Sequence, residues 1–204
     1  MSNNELEYEP IIESILAYGY GVCDDFFDKT EVDLLVAFFI SRYQSGIFKK
    51  AGIGEKQEEQ VLESIRGDKI LWLENDNSDK TENLFFEKIE NFIKYLNRTC
   101  YLGINKSEFH LAKYEPGKFY KKHKDSFEKN KGRVLSVIVY LNTNWKLKDG
   151  GNLLIFPNNE NNLSPIIINP IAGRIVCFES DKIEHEVEIT NVDRLSITGW
   201  LLNK

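Results

Sequence analysis

Cysteine, histidine and long runs of one chemical kind are scarce in this chain. Its three cysteines, Cys23, Cys100 and Cys177, lie far apart and form no CxxC spacing, which argues against a cysteine zinc site. A sparse, odd count suits reduced thiols in a cytosol, and we read all three as buried structural groups. No apolar run is long enough to span a bilayer. The opening MSNNELEYEP is polar and acidic, without the basic start and apolar stretch of a signal peptide. These absences together predict a cytoplasmic protein with no membrane partner. The formal net charge is -6, no long basic run is present, and the lysines, Lys121 and Lys122 included, read as solvated surface. A chain so charged is a poor match for nucleic acid, whose phosphates need clustered Lys and Arg. Internal repeats and linkers are also missing, and 204 residues fit a single domain spanning 1–204.

The two halves of the chain carry different patterns. Residues 9–100 read as helical support. In 9–19, Ile11, Ile12, Ile15 and Leu16 share a face and Gly19 stops the helix. Val22 to Phe27 gives a short strand-like exit. Thr30 is placed to cap a second helix whose stripe is Leu34, Leu35, Phe38 and Phe39, with Gly46 at its end. Residues 47–80 read as irregular and charged. A third helix follows Thr81, with Leu84, Phe85, Ile89, Phe92, Ile93 and Leu96 at helical spacing. From about 107 to 204 the pattern becomes short strands between Gly, Pro and Asn turns: EFHLAKY, FYKKHKD, VLSVIVYLN, NLLIF, SPIIINP, RIVCFE, HEVEIT and RLSITGWLL. Eight such runs predict a jelly roll, or double-stranded β-helix, supported by the N-terminal helices in an α+β fold.

Only three histidines occur, at 110, 123 and 185. His123 and Asp125, two apart on an extended strand, point to the same side. His185 follows roughly sixty residues later on another strand. Two imidazoles and one carboxylate can occupy one face of a metal and leave the other open, as non-haem Fe(II) oxygenases require. HxD alone is weak; the signal strengthens with Arg194, nine residues after His185. Alternation in RLSITGW puts Arg194, Ser196, Thr198 and Trp200 on one face. A hairpin joining HEVEIT to RLSITGW would set Arg194 beside the metal but deeper in the roll. A buried arginine needs an anion, and a dicarboxylate co-substrate offers one in two-pronged geometry. The alternative is an ordinary ion pair with an acid such as Glu188. A zinc hydrolase would need a general base at the metal, but alternation turns Glu184 and Glu186 to the opposite face. His110, with no acid two residues on, reads as a satisfied structural histidine. Tyr140 and Trp200 can equally be core aromatics, and Gly150–Gly151 a plain turn. The triplet Arg66-Gly67-Asp68 spells a cell-adhesion motif, a reading that an unsecreted chain does not support.

Nearly the whole chain, from about Ile11 to Trp200, resembles the prolyl hydroxylase branch of the Fe(II)/2-oxoglutarate dioxygenases, in particular the hypoxia-inducible-factor prolyl hydroxylases and their bacterial prolyl 4-hydroxylase relatives. The likeness rests on YEPGKFYKKHKD (114–125), on VYLNTNWKLKDGGNLLIFP (139–157), on IEHEV with RLSITGW (183–200), and on the upstream IRGDKILWLE (65–74). It implies His123, Asp125 and His185 as catalytic iron ligands, and Arg194, Tyr140, Tyr114 and Ser196 as residues at the 2-oxoglutarate. It implies Tyr120 and Trp200 on the substrate side, and a pairing of Arg133 with Asp68 that pins an upstream loop at the entrance. In one departure, Glu115 stands before the Pro of the Tyr-Pro-Gly segment. The implied cofactors are Fe(II), 2-oxoglutarate and O2, with ascorbate. The implied activity is 4-hydroxylation of a prolyl residue in a protein, yielding succinate and CO2, with a translation factor such as elongation factor Tu as the candidate partner. Hydroxylation of a free amino acid or small molecule is the alternative, as is a non-catalytic jelly-roll binding protein. Nucleic-acid demethylases of this fold carry a second arginine where Trp200 stands here.

Overall fold

The computed structural model describes residues 3–52, 62–75, 79–126, 132–157 and 164–204. Helix α1 (Asn3–Tyr18) stops at Gly19, whose φ of 79° suits a residue without a Cβ. It starts earlier than apolar spacing indicates, because its first residues are polar and leave no periodicity to read. Strand β1 (Tyr20–Cys23) follows. Helix α2 (Lys29–Gln44) is capped by Asp28, not Thr30. The Glu31 N–H donates to Asp28 Oδ1 at 2.9 Å, and the Asp28 N–H donates to Glu31 Oε2 at 2.8 Å, a reciprocal box that satisfies two N-terminal donors. Its buried stripe is Val32, Leu35, Phe38 and Phe39; Leu34 is exposed instead.

The segment expected to be irregular contains two strands, β2 (Lys49–Lys50) and β3 (Lys69–Trp72). Helix α3 (Lys80–Cys100), capped by Asp79, buries Phe85, Phe86, Ile89, Phe92, Tyr95 and Leu96. Eight strands complete the described chain, as the turn spacing predicts: β4 (Lys106–Tyr114), β5 (Tyr120–His123), β6 (Arg133–Tyr140), β7 (Leu153–Phe156), β8 (Ile166–Ile168), β9 (Ile175–Glu179), β10 (Glu184–Val187) and β11 (Arg194–Leu202).

The strands form two antiparallel sheets. The larger runs β1-β9-β6-β11-β4-β3-β2 and the smaller β5-β10-β7-β8. The expected hairpin between HEVEIT and RLSITGW does not form. Strand β10 pairs with β5 and β7 in the smaller sheet, while β11 lies between β4 and β6 in the larger. The turn between them crosses from one layer to the other, so Arg194 and His185 face each other's sheets.

Strand alternation divides the core in two. One face of the larger sheet sends Phe109, Leu111, Leu135, Val137, Val139, Ile197 and Leu201 to a cluster with Ile11, Leu35, Phe85, Ile89 and Phe92 of the helices. The other face sends Ala112, Tyr114, Ile138, Tyr140, Val176 and Phe178 against Leu153, Ile155, Ile168 and Val187 of the smaller sheet and its connections. This is the jelly roll, with helices covering one sheet. Among the described residues, no helix is long and apolar enough to cross a membrane.

Candidate metal centre

The site lies between the sheets, at one end of the smaller one. Cross-strand pairing sets His185 of β10 directly opposite His123 of β5, with ring centroids 4.2 Å apart. Asp125 follows just past the end of β5. His123 Nε2 lies 3.4 Å from Asp125 Oδ1, and His185 Nε2 lies 3.7 Å from Asp125 Oδ2. One ligand atom from each of the three falls within 4.8 Å of the others, a spacing that can hold a metal ion.

Neighbours fix each member. His123 Nδ1 is 2.8 Å from the Lys121 carbonyl and His185 Nδ1 is 3.4 Å from the Ile183 carbonyl. Using Nδ1 this way leaves Nε2 free to act as a ligand. Tyr120 stacks on His123 at 3.6 Å and Phe178 packs on His185 at 4.5 Å. Ser136 donates to Asp125 Oδ2 at 2.7 Å and is itself 2.9 Å from the Ser180 hydroxyl. Arg133 donates to the Asp125 carbonyl at 2.9 Å. Burial pushes the Asp125 carboxyl up, but His185, His123 and the Ser136 hydroxyl outweigh it and hold the group well below the usual carboxylate range. Burial lowers His185 to about 4, against the pull of Asp125. The cluster therefore presents one anion and a neutral imidazole at His185, the protonation a divalent cation requires.

Deeper in the roll, Arg194 is 2% exposed. Its Nε donates to the Gly151 carbonyl at 2.8 Å, while Nη2 has no partner. A Cβ on Gly151 would sit 3.0 Å from Arg194 Cδ, and its φ is 68°, so this glycine is more than a turn residue. The guanidinium lies 5.1 Å from the Tyr114 ring centre and 5.0 Å from that of Tyr140. The Tyr140 hydroxyl is fully buried and lacks a well-aligned hydrogen bond; burial raises both phenols above their ordinary range. The alternative pairing with Glu188 does not form, since that carboxylate accepts from Asn152 at 2.7 Å. Arg194 is thus a buried cation with no carboxylate partner among the described residues. An uncompensated buried charge is costly, and an incoming carboxylate would relieve it. Ser196 lies on the same face, fully buried, 3.2 Å from the Thr198 hydroxyl.

The entrance differs from expectation. Asp68 pairs with Arg66, not Arg133, through contacts of 2.7 and 2.9 Å. The Arg66 guanidinium lies 4.8 Å from the Tyr120 ring centre, and Arg66 bridges Tyr120 in strand-like fashion. Arg133 lies 3.6 Å over Trp200. The cause is local: Arg66 is two residues from Asp68 and reaches it first, while Arg133, across the sheet, is drawn to the Asp125 backbone. The pocket wall unites Asp68, Tyr114, Tyr120, Arg194 and Trp200 with the three metal-ligand candidates. It also holds Arg66, Thr198 and His110. His110 is not the satisfied histidine that its sequence suggests, because neither ring nitrogen has a partner. Strand alternation with Ala112 and Tyr114 sets it on the inner face of β4. A larger groove of about 960 Å³ lies elsewhere, lined by residues such as Ile12, Leu16 and Leu96, and contains none of the three candidates.

Known proteins agree with this architecture. A profile of the 2OG-Fe(II) oxygenase superfamily matches residues 109–202. The chain is 31% identical, over 96% of its length, to the hypoxia-inducible factor prolyl hydroxylase of Caenorhabditis elegans, but spans only 28% of that relative. It superposes on a Pseudomonas putida prolyl-4-hydroxylase with a TM-score of 0.85 and 29% identity, covering 95% of this chain and 97% of that one. It superposes equally on a prolyl hydroxylase from Trichoplax adhaerens, solved with a hypoxia inducible factor oxygen degradation domain peptide fragment; the TM-score is 0.86 and identity 27%, over 98% and 90% of the two chains. Residues 109–202, which contain the His-Asp-His cluster and Arg194, are therefore a domain of the 2OG-Fe(II) oxygenase superfamily.

Proposed function

We propose that the chain is an Fe(II)- and 2-oxoglutarate-dependent dioxygenase that hydroxylates a prolyl residue of a protein, with residues 1–204 as one catalytic unit. The observation that carries this reading is the pairing of a His123–Asp125–His185 cluster with an unpaired buried arginine, Arg194, on the facing sheet. His123, Asp125 and His185 would hold Fe(II). Arg194 would take the far carboxylate of 2-oxoglutarate, with Tyr140, Tyr114 and Ser196 around it; the orphaned Nη2 of Arg194 and hydroxyl of Tyr140 fit that group. When bound, iron with 2-oxoglutarate and O2 supplies the oxidation that inserts oxygen into a C–H bond and leaves succinate and CO2. The protein positions, excludes water and keeps charge in balance. Ser136 and Arg133 fix Asp125, and the apolar wall of Ile138, Leu153 and Val187 keeps the pocket dry.

The prolyl substrate is supported by the names of the relatives and by the peptide in the Trichoplax adhaerens structure. Tyr120, Trp200, Arg133 and Asp68 would meet that substrate or shape its entrance, Asp68 acting through Arg66. Ascorbate as a reductant, a cytoplasmic setting and elongation factor Tu as the partner belong to the same reading.

The test is turnover. Protein with Fe(II), 2-oxoglutarate and O2, given a proline-containing polypeptide, is expected to release succinate while one proline gains one oxygen atom by mass spectrometry. Succinate release driven by a free amino acid, with no modified polypeptide, would overturn the prolyl assignment and leave the dioxygenase. The candidate partner is tested by supplying elongation factor Tu itself.

A further inference from the structure

Among the described residues, His110 is the one buried ionisable group of the pocket wall to which the reading above gives no task. It is 1% exposed. On β4 it lies opposite Thr198 of β11 and Trp72 of β3. Its ring packs 5.0 Å from that of Trp72 and 5.7 Å from that of Trp200. The inner-face rungs of the β4–β11 ladder run Tyr114–Arg194, Ala112–Ser196, His110–Thr198 and Glu108–Trp200. Two small residues thus separate the Arg194 anchor from the His110 rung, and His110 shares the pocket with His123, Asp125 and His185.

Burial keeps the imidazole neutral, lowering it to about 3. A neutral imidazole offers one N–H and one lone pair. Neither is used, since both ring nitrogens are buried without a partner. A buried polar group left unsatisfied carries an uncompensated desolvation cost; an apolar side chain of similar size would fill the same space between the two tryptophans without that cost. A polar group in such a place is explained by a ligand that arrives in the pocket.

Resting on the proposed iron and 2-oxoglutarate reading, we propose that His110 is a positioning residue whose imidazole hydrogen-bonds an oxygen ligand held beside His123, Asp125 and His185. That oxygen belongs either to a metal-bound water or to the metal-binding carboxylate of a 2-oxo acid. Thr198, opposite His110 on the same rung, lines the same pocket wall.

The experiment compares wild-type protein with His110→Met and His110→Gln, using Mn(II) as a metal that does not turn over. Thermal unfolding is followed without metal, with Mn(II), and with Mn(II) plus 2-oxoglutarate. Without metal, the His110→Met protein is expected to be at least as stable as wild type. With ligands it is expected to lose part of the stabilisation, corresponding to about tenfold weaker binding, and His110→Gln is expected to restore most of it. A deficit already present with Mn(II) alone identifies the water as the partner, and one that appears only with 2-oxoglutarate identifies the carboxylate. Equal ligand-induced stabilisation in all three proteins overturns the role of His110 while leaving the site intact. No stabilisation of wild type by Mn(II) and 2-oxoglutarate overturns the reading of the site itself, and this proposal with it. A His110→Met protein that unfolds at lower temperature without metal also overturns it, because the histidine would then be structural.

Discussion

The outer face of β6 and β11 gives Leu135, Val137, Val139, Ile197 and Leu201 to the helices, whereas the inner face of the same two strands gives Ser136, Tyr140, Arg194, Ser196 and Trp200 to the space between the sheets. The outer layer consists of interlocked aromatics: Phe92 lies 5.2 Å from Tyr8 and 5.8 Å from Phe26, and Phe85 lies 5.0 Å from Phe109. The inner layer holds buried atoms with no well-aligned hydrogen bond among the described residues, among them Arg194 Nη2, the Tyr140 hydroxyl, Trp200 Nε1 and both nitrogens of His110. One sheet thus carries stability on one side and stored binding capacity on the other, and substitutions on the two sides should fail in opposite ways.

The largest contrast is expected between Asp125→Ala and Phe92→Ala. On the proposed function, Asp125→Ala should lower prolyl hydroxylation on the order of a thousandfold or more, since a metal site supplies several kcal/mol of transition-state stabilisation. Its effect on the unfolding of the metal-free protein should be far smaller than that of Phe92→Ala. Phe92→Ala should cost about 3–5 kcal/mol in urea unfolding while leaving turnover per folded molecule close to wild type. Equal loss of stability in the two variants would break the distinction between the layers.

A smaller effect sharpens the comparison through pH. The folded-state value of His110 is lowered to about 3, below its ordinary 6.5, by burial first and then by Arg66 and Arg133, against Asp68 and Asp125. The unfolded chain therefore takes up this proton first, and stability is lost as pH falls from about 6.5 towards 3. The slope approaches 1.4 kcal/mol per pH unit for one proton. His185, lowered to about 4, adds in the same sense. The His110→Met protein without metal should show a shallower fall over this window, by up to about one proton. An unchanged slope would mean that His110 is not buried neutral.

The smallest effect lies at the exposed edge of the outer layer. Asp28→Ala should cost about 1 kcal/mol by removing the cap of α2, whereas Thr30→Ala should stay within about 0.5 kcal/mol. Denaturant midpoints of the two variants separate them.

That last pair also marks how far sequence carries. The eight strands of the roll were legible because each alternates between glycine, proline or asparagine turns, and HxD with a distant histidine and arginine pointed to residues that the fold brings into one pocket. The helix cap was misread because Asp28 and Thr30 are both competent, and only the backbone decides which flanks the helix. Strands β2 and β3 were hidden in a charged stretch, since β2 is only the pair Lys49–Lys50 and β3, Lys69–Trp72, is a run of four residues too short to show alternation. The placement of β10 and β11 in separate sheets and the unmet nitrogens of His110 are both tertiary facts. Each depends on which groups arrive from other strands, and no local spacing encodes that.

The central claim is that His123, Asp125 and His185 form an iron centre whose co-substrate is gripped by Arg194. Metal-free protein, kept free of oxygen and given Fe(II) and then 2-oxoglutarate, tests it directly. The account predicts a visible charge-transfer band that appears only after the 2-oxo acid is added. The band should be lost in His185→Ala and require much higher 2-oxoglutarate in Arg194→Met. A folded wild-type protein that shows no band, or a band indifferent to both substitutions, would contradict the account.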